Sequence, residues 1–305
     1  MRIAVVGAGG VGGYFGGKLA AAGADVTFVV KDEPFDTLRV DSVKGDFVVE
    51  HPQVTKDPST ISKVDAVLMC VKAWQVPEAT RSIVPLIGGD TVVVPLENGM
   101  EAPEQIAAVA GREHAAGGLC GIIAFLVGPG HIRHAGAEPF IMCGELDNRR
   151  SARLERLCDA LVRAGVKAEI PPDIHRSMWS KFLFIVPGSG IGAITRVPVN
   201  VWRSMPETRE LAERSIREIL AVAAARGAAL PDDALERTME RIDALPPDAT
   251  TSLQRDMMDG KPSELDAQLG AVVRMAAESG VDVPVCDFLY RCLLPQERSV
   301  RSRRA

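Results

Sequence analysis

The stretch Arg2-Ile3-Ala4-Val5-Val6-Gly7-Ala8-Gly9-Gly10-Val11-Gly12-Gly13-Tyr14-Phe15 decides the fold. Arg2 to Val6 is a short strand signal rich in β-branched residues, and the chain then passes through small residues into a helix-compatible stretch reaching Leu19 and Ala22. Gly23 closes that stretch, and Asp25-Val26-Thr27-Phe28-Val29-Val30 reads as a second strand. Strand, glycine turn, helix and strand make one βαβ unit. The turn Gly7-Ala8-Gly9-Gly10-Val11-Gly12 fits G-x-G-x-x-G, directly after a strand and opening a helix, which is the context that gives the pattern its meaning. Gly7 permits the tight bend, Gly9 lets a pyrophosphate approach the backbone, and Gly12 lets the helix pack close to the strand. The helix N-terminus adds N–H donors and a positive dipole end. Gly7, Ala8, Gly9, Gly10, Val11 and Gly12 are therefore the expected phosphate loop for a nicotinamide dinucleotide.

Working outward, buried-type strands are predicted at 64–71, 91–96 and 115–119, with helix-compatible stretches near 76–86 and 101–109. Such alternation predicts a mostly parallel sheet with helices on both faces. The stretch 122–145 carries Gly128-Pro129-Gly130 between two strand-like runs and reads as a hairpin excursion at the sheet's edge. A helical pattern over 148–164 and a strand over 166–170 lead to Pro171-Pro172. Beyond that point strand signals vanish. Segments 173–186, 207–226, 232–242, 263–279 and 285–294 read as helices, with Gly227, Pro246-Pro247 and Gly280 as breakers. The expected fold class is an α/β N-terminal Rossmann-type domain with a mostly parallel sheet, residues 1–172, followed by an all-α C-terminal domain, residues 173–305. The segment 285–294 reads equally as a homodimer contact or as a core helix.

Composition narrows the function classes. An apolar fraction of 47% and a charged fraction of 25% suit a protein with buried cores, and 305 residues suffice for two domains. A net charge of −5 argues against a general affinity for nucleic acid or anionic membrane, though one basic pocket can still bind a small anion. Cys70, Cys120, Cys143, Cys158, Cys286 and Cys292 are scattered without metal-ligand spacing, so no metal site is expected and they read as buried small hydrophobes in a reducing, cytoplasmic compartment. Neither an uninterrupted apolar signal-peptide core nor a run of about 18 apolar residues is present. The basic stretch Arg298 to Arg304 reads as a solvated, frayed end without function.

The end of the second strand bears on the ribose. A basic residue there favours the 2′-phosphate of NADP, an acidic one the 2′-hydroxyl of NAD. Lys31, directly after Val30, gives NADP(H); a turn rotated by one position would present Asp32 and give NAD(H).

Among candidate catalytic residues, Lys181 stands on a helical face with Ile174, Met178 and Ile185, flanked by Trp179, Phe182, Leu183 and Phe184. Such a lysine either snorkels to water or sits partly buried, where desolvation suits it to proton transfer. Asn98 follows the strand at 91–96, at the carboxyl end where open α/β sheets bind ligands, or it is a plain Asn-Gly turn. Lys72 has the same location and could reach a cofactor phosphate or ribose, or be a solvated loop lysine. Ser263 and Asp266 form a capping-box-like pair, which would leave Glu264 merely favourable to a helix dipole.

Taken together, the motifs resemble those of the ketopantoate reductase (2-dehydropantoate 2-reductase) family, over nearly the whole chain and in the family's order. Gly7 to Gly13 looks like its phosphate loop, Val71-Lys72-Ala73-Trp74-Gln75 its V-K-x-x-Q block, and Glu97-Asn98-Gly99 its N-G block. Trp179-Ser180-Lys181 resembles its W-x-K motif, and Ser252 with Gln254, then Gly260 to Glu264, its S-x-Q…G-x-x-[ST]-E stretch. The resemblance implies hydride transfer between NADPH and the C2 carbonyl of a 2-oxo acid, with 2-dehydropantoate to pantoate as the implied reaction. Lys181 would be the general acid, Asn98 would hold substrate and lysine at the nicotinamide, Ser252 would bind the substrate carboxylate, and Glu264 would accept hydrogen bonds from substrate hydroxyls. The cleft between the two domains is the implied place for this chemistry. One departure stands out: four and eight residues after the lysine, where pantoate-making members carry asparagines, this chain has Ile185 and Ser189. An apolar wall at Ile185 changes which 2-oxo acid fits. The alternatives are a reductase for a different 2-oxo acid and a non-catalytic NADP(H) sensor.

Overall fold

The computed structural model describes residues 1–31 and 34–303. The chain divides into two compact units, Met1–Glu97 with Ala102–Ser177, and Asn98–Glu101 with Met178–Ala305.

In the first unit β1 (Arg2–Val6), α1 (Gly10–Ala21) and β2 (Asp25–Val29) form the opening βαβ. Then come β3 (Thr37–Ser42), β4 (Phe47–Glu50), β5 (Gln53–Thr55), β6 (Val64–Met69), α2 (Val76–Ile83) and β7 (Ile87–Pro95). They are followed by α3 (Ala102–Ala110), β8 (Ala116–Gly128), β9 (His131–Glu145), α4 (Ala152–Arg163) and β10 (Lys167–Glu169). One sheet is entirely parallel, in the order β5-β2-β1-β6-β7, with Ile3 of β1 between Val26 and Ala66. Ile3 and Val5 pack with Phe15, Phe28 and Leu68, whereas Ala4 and Val6 pack with Met69, Ile83 and Ile106 on the other face. A strand buried on both faces needs apolar side chains throughout, hence the unbroken run at 3–6.

The stretch 122–145 is not an edge excursion of that sheet. β8 and β9 form a long antiparallel hairpin within a second five-stranded sheet, where β9 also pairs in parallel with β3 and β10, and β3 pairs with β4. The strand predicted at 115–119 is the start of this hairpin and is joined to β7 by a single parallel bridge, Val93–Ala115, among the described residues. Apolar pattern identifies a strand but not the sheet it joins, since pairing is set by distant partners.

The second unit carries its helices from α5 (Ile174–Thr195), which it takes over at Met178, through α6 (Val199–Ser204), α7 (Pro206–Ala225) and α8 (Ala234–Asp243) to α9 (Ser252–Met258), α10 (Ala271–Ser279) and α11 (Pro284–Ser302). Trp179, Phe182, Trp202, Ile216, Leu269 and Leu289 are among its core residues. α5 does not stop before Pro187 as predicted. Proline removes one helical hydrogen bond, but the small residues beyond it are packed tightly: a Cβ at Gly190 would meet Leu269 Cδ1 at 3.0 Å, and one at Gly192 would meet Gln254 Oε1 at 2.5 Å. The helix predicted from 263 opens instead as a π-helical turn over Asp266–Gly270 before α10. Residues 298–302 are not frayed; they continue α11 through Pro295, while Arg304 lies outside the described residues. In the same helix Val285, Cys286, Leu289 and Leu293 enter the core, and Phe288 is 63% exposed.

All six cysteines are free thiols; Cys120, Cys143, Cys158 and Cys286 are buried, but Cys292 is exposed on α11. Among the described residues no helix is long and apolar enough to cross a membrane, and no cluster of His, Cys, Asp and Glu could hold a metal ion.

Candidate active site

In the first unit the glycine loop joins β1 to α1. Gly7 has φ +92°, its N–H donates to the Val29 carbonyl at 2.9 Å, and a Cβ there would lie 2.8 Å from the Cys70 carbonyl oxygen. At Gly12 a Cβ would run into the Gly7 carbonyl oxygen, so α1 seats on the strand end only with glycine. Gly9 differs. Among the described residues, no atom beyond its immediate chain neighbours lies within 4 Å of where its Cβ would be, so packing there does not require glycine. Gly9 is also the N-cap of α1, which has neither a side-chain cap nor an acidic residue in its first turn. An uncapped helix start beside an open glycine face fits the pyrophosphate of a dinucleotide. Ala8, Gly10 and Val11 complete the loop and are half-buried.

Lys31 follows β2, and its ammonium lies 3.1 Å from Glu78 Oε1 with both side chains about two-thirds exposed (64% and 65%). Such a pair contributes about 0–1 kcal/mol and is readily exchanged for a phosphate. Asp32 lies outside the described residues. Lys72 follows β6 at the start of a 3-10 turn, where its N–H donates to Gln75 Oε1 at 3.1 Å and its carbonyl accepts from Gln75 N–H at 2.8 Å. The Gln of the V-K-x-x-Q block thus folds the turn that presents the Lys.

In the second unit, Asn98 Nδ2 donates to Glu264 Oε2 at 3.4 Å. Glu264 is buried, and its carbonyl accepts from Gln268 N–H at 3.0 Å; the carbonyl of the next residue, Leu265, accepts from Gly270 N–H at 3.1 Å in the five-residue spacing of a π-helical turn, a distortion often found at functional sites. Gly99, at φ +138°, brings the Asn98 turn against this segment, where a Cβ would meet the Ala267 carbonyl oxygen at 3.0 Å. Glu101 adds a tether: Arg274 Nη2 and Nε reach its two carboxylate oxygens at 2.8 and 3.2 Å, and Arg274 Nη1 reaches Asp266 Oδ1 at 3.0 Å. Burial works against the Arg274 charge, but Glu101 and Asp266 outweigh it and raise the guanidinium's pKa. Neither Glu101 nor Arg274 carries a sequence signal, because a pair separated by 173 residues leaves no local pattern.

The capping box predicted at Ser263 does not form. Asp266 Oδ1 accepts from Arg274 and from the Tyr290 hydroxyl at 2.9 Å, while the Ser263 hydroxyl is directed to Glu297. On α5, Lys181 and Ile185 are half-buried on one face. Ser189, one turn further, is fully buried, and its Oγ has no hydrogen-bond partner among the described residues. Ser252 opens α9 and is half-buried, with Thr251 as N-cap. Gln254 is structural: its Nε2 donates to the Val197 carbonyl at 3.0 Å.

Residues 3–148 match the model of the family ketopantoate reductase PanE/ApbA, and residues 173–297 match the model of that family's C-terminal part. The chain belongs to the ketopantoate reductase family. An uncharacterized oxidoreductase of Bacillus subtilis, YkpB, is similar at 31% identity, over 95% of this chain and 97% of its own. A 2-dehydropantoate 2-reductase of Nostoc sp. is 29% identical over 96% of this chain and 94% of its own. The crystal structure of 2-dehydropantoate 2-reductase from Geobacter metallireducens matches with a TM-score of 0.90 at 30% identity, covering 97% of this chain and 99% of that one. This ketopantoate reductase family member thus has an oxidoreductase fold, with Ile185 and Ser189 on the lysine's helix.

Proposed function

We propose that the chain is an NADP(H)-dependent reductase that converts a 2-oxo acid to a 2-hydroxy acid. When bound, the reduced nicotinamide supplies the hydride that adds to C2. Lys181 donates the proton to the carbonyl oxygen, and its cation stabilises negative charge that is greatest in the transition state. Ser252 holds the substrate carboxylate, Asn98 orients substrate and lysine, and Glu264 accepts hydrogen bonds from substrate hydroxyls. The loop from Gly7 to Gly12 takes the pyrophosphate, Lys31 the 2′-phosphate and Lys72 a phosphate or ribose. The single observation that carries this reading is the meeting of Asn98 with Glu264 in one unit, from distant stretches of sequence. The buried free thiols support a reducing, cytoplasmic setting.

Relatives named as 2-dehydropantoate 2-reductases support 2-dehydropantoate as substrate and pantoate as product, in pantothenate biosynthesis. Ile185 favours a second reading, a 2-oxo acid without the pantoate hydroxyls, because an apolar wall there offers no hydrogen bond. NADPH oxidation measured against 2-dehydropantoate and a panel of simpler 2-oxo acids separates the two, and a parallel series with NADH tests Lys31. Absence of turnover with every member of the panel would leave only a dinucleotide binder.

A further inference from the structure

The segment that carries Glu264 is gripped by the last helix. Glu297, on α11, is 3% exposed. Its two oxygens each accept from the Ser263 N–H at 3.1 Å, and Oε2 also accepts from the Ser263 hydroxyl at 2.6 Å. Arg301, one turn on, donates Nε to Glu297 Oε1 at 2.6 Å and Nη2 to the Ser263 carbonyl oxygen at 3.0 Å. The N–H, O–H and C=O of Ser263 therefore all end on one carboxylate–guanidinium pair. Its Oγ accepts in turn from Leu265 N–H at 3.3 Å, so the main chain is held on both sides of Glu264.

An ion pair between a buried carboxylate and a half-exposed guanidinium is a weak source of net stability, since desolvation of the one and solvent screening of the other offset much of the attraction. What it supplies is a fixed main chain on either side of one residue. We propose that Glu297, completed by Arg301, is a positioning residue for substrate recognition: it sets the Ser263–Leu265 backbone so that the Glu264 carboxylate is held at Asn98 and presented to the 2-oxo acid. The inference rests on the reading of Glu264 as a substrate-contacting group.

Steady-state kinetics on the full chain, with NADPH and the best 2-oxo acid of the panel, test it through Glu297→Gln, Glu264→Ala, the double variant and Ser263→Ala. Loosening a contact group by a fraction of an ångström lowers kcat/KM for the oxo acid by roughly 10- to 100-fold in Glu297→Gln, with the NADPH dissociation constant unchanged. In the Glu264→Ala background the same change adds less than about twofold, because the group it positions is gone. Wild-type kcat/KM in Glu297→Gln, or an equal loss with and without Glu264, overturns the proposal. Should Glu297→Gln fail to fold, Ser263→Ala carries the test: lowered kcat/KM supports the grip and a wild-type value overturns it. Wild-type kinetics in Glu264→Ala marks a different failure, that of the Glu264 role itself, and the proposal falls with it.

Discussion

Asn98 and Glu264 are separated by 166 residues in the sequence and by 3.4 Å in the fold, the amide nitrogen of one facing Oε2 of the other. The distance is long for a direct hydrogen bond, so the contact owes its existence to what holds the two segments. Glu101, three residues after Asn98, is bound by Arg274, and Arg274 also binds Asp266, two residues after Glu264.

Arg274→Met cuts both tethers at once. The pair is half-exposed, with side chains 41% and 34% accessible, so the stability loss stays near 1 kcal/mol. The kinetic loss is larger: kcat/KM for the 2-oxo acid falls roughly tenfold as Asn98 and Glu264 drift apart. NADPH affinity is unchanged. Thermal denaturation beside steady-state kinetics checks both halves, and a variant that loses stability but no kcat/KM would refute the tether.

Two glycines of the phosphate loop respond oppositely to an added methyl. Gly9→Ala meets no atom of the described residues beyond its chain neighbours and costs less than about 1 kcal/mol of stability, yet its methyl occupies the face offered to the pyrophosphate. The NADPH dissociation constant rises by about tenfold or more, equivalent to ~1.4 kcal/mol. Gly12→Ala drives a methyl into the Gly7 carbonyl and lowers stability by about 1–3 kcal/mol. Urea denaturation and fluorescence titration of both variants decide the matter; equal behaviour of the two would contradict the assignment.

Glu145 is one expected source of acid sensitivity in the first unit. It forms a doubly hydrogen-bonded pair with Arg153 at 2.7 Å, and both side chains are buried. Burial pushes the Glu145 carboxyl up, but Arg153 and Ser151 outweigh it and hold it below its ordinary value of 4.5. The unfolded chain therefore binds this proton more tightly, so the stabilisation is complete above pH 4.5 and is lost as pH falls through the depressed value. Urea midpoints between pH 7 and pH 3 should show a shallower decline in Glu145→Gln than in the natural chain. Arg153→Met, which strands a buried carboxylate, should cost about 3–5 kcal/mol near neutral pH.

The opening βαβ is legible because each of its signals is local. Residues 3–6 of β1 alternate between two cores and so are all apolar, and the glycine spacing is a local pattern even where, as at Gly7 against Cys70, the contact that requires it is distant. β3, β4 and β5 escape notice because they are short, β4 and β5 carry no fully buried residue, and β3 takes its parallel partner β9 from far along the chain. α5 runs past Pro187 because packing of small residues against Leu269 and Leu289 overrides a local breaker. In the candidate site, Lys181, Asn98 and Glu264 were legible as motif residues, whereas Glu101, Arg274 and Glu297 were not. An ordinary charged residue on a helix looks the same in sequence whether it faces water or clamps a distant backbone.

The central claim is that the Lys181 ammonium delivers the proton during hydride transfer. The measurement that meets it most directly is kcat for NADPH oxidation by Lys181→Ala with the preferred 2-oxo acid, taken together with the NADPH dissociation constant. A general acid lost from the transition state lowers kcat by on the order of 10²-fold or more, while NADPH binds as before. A variant that turns over at nearly the natural rate would contradict the account.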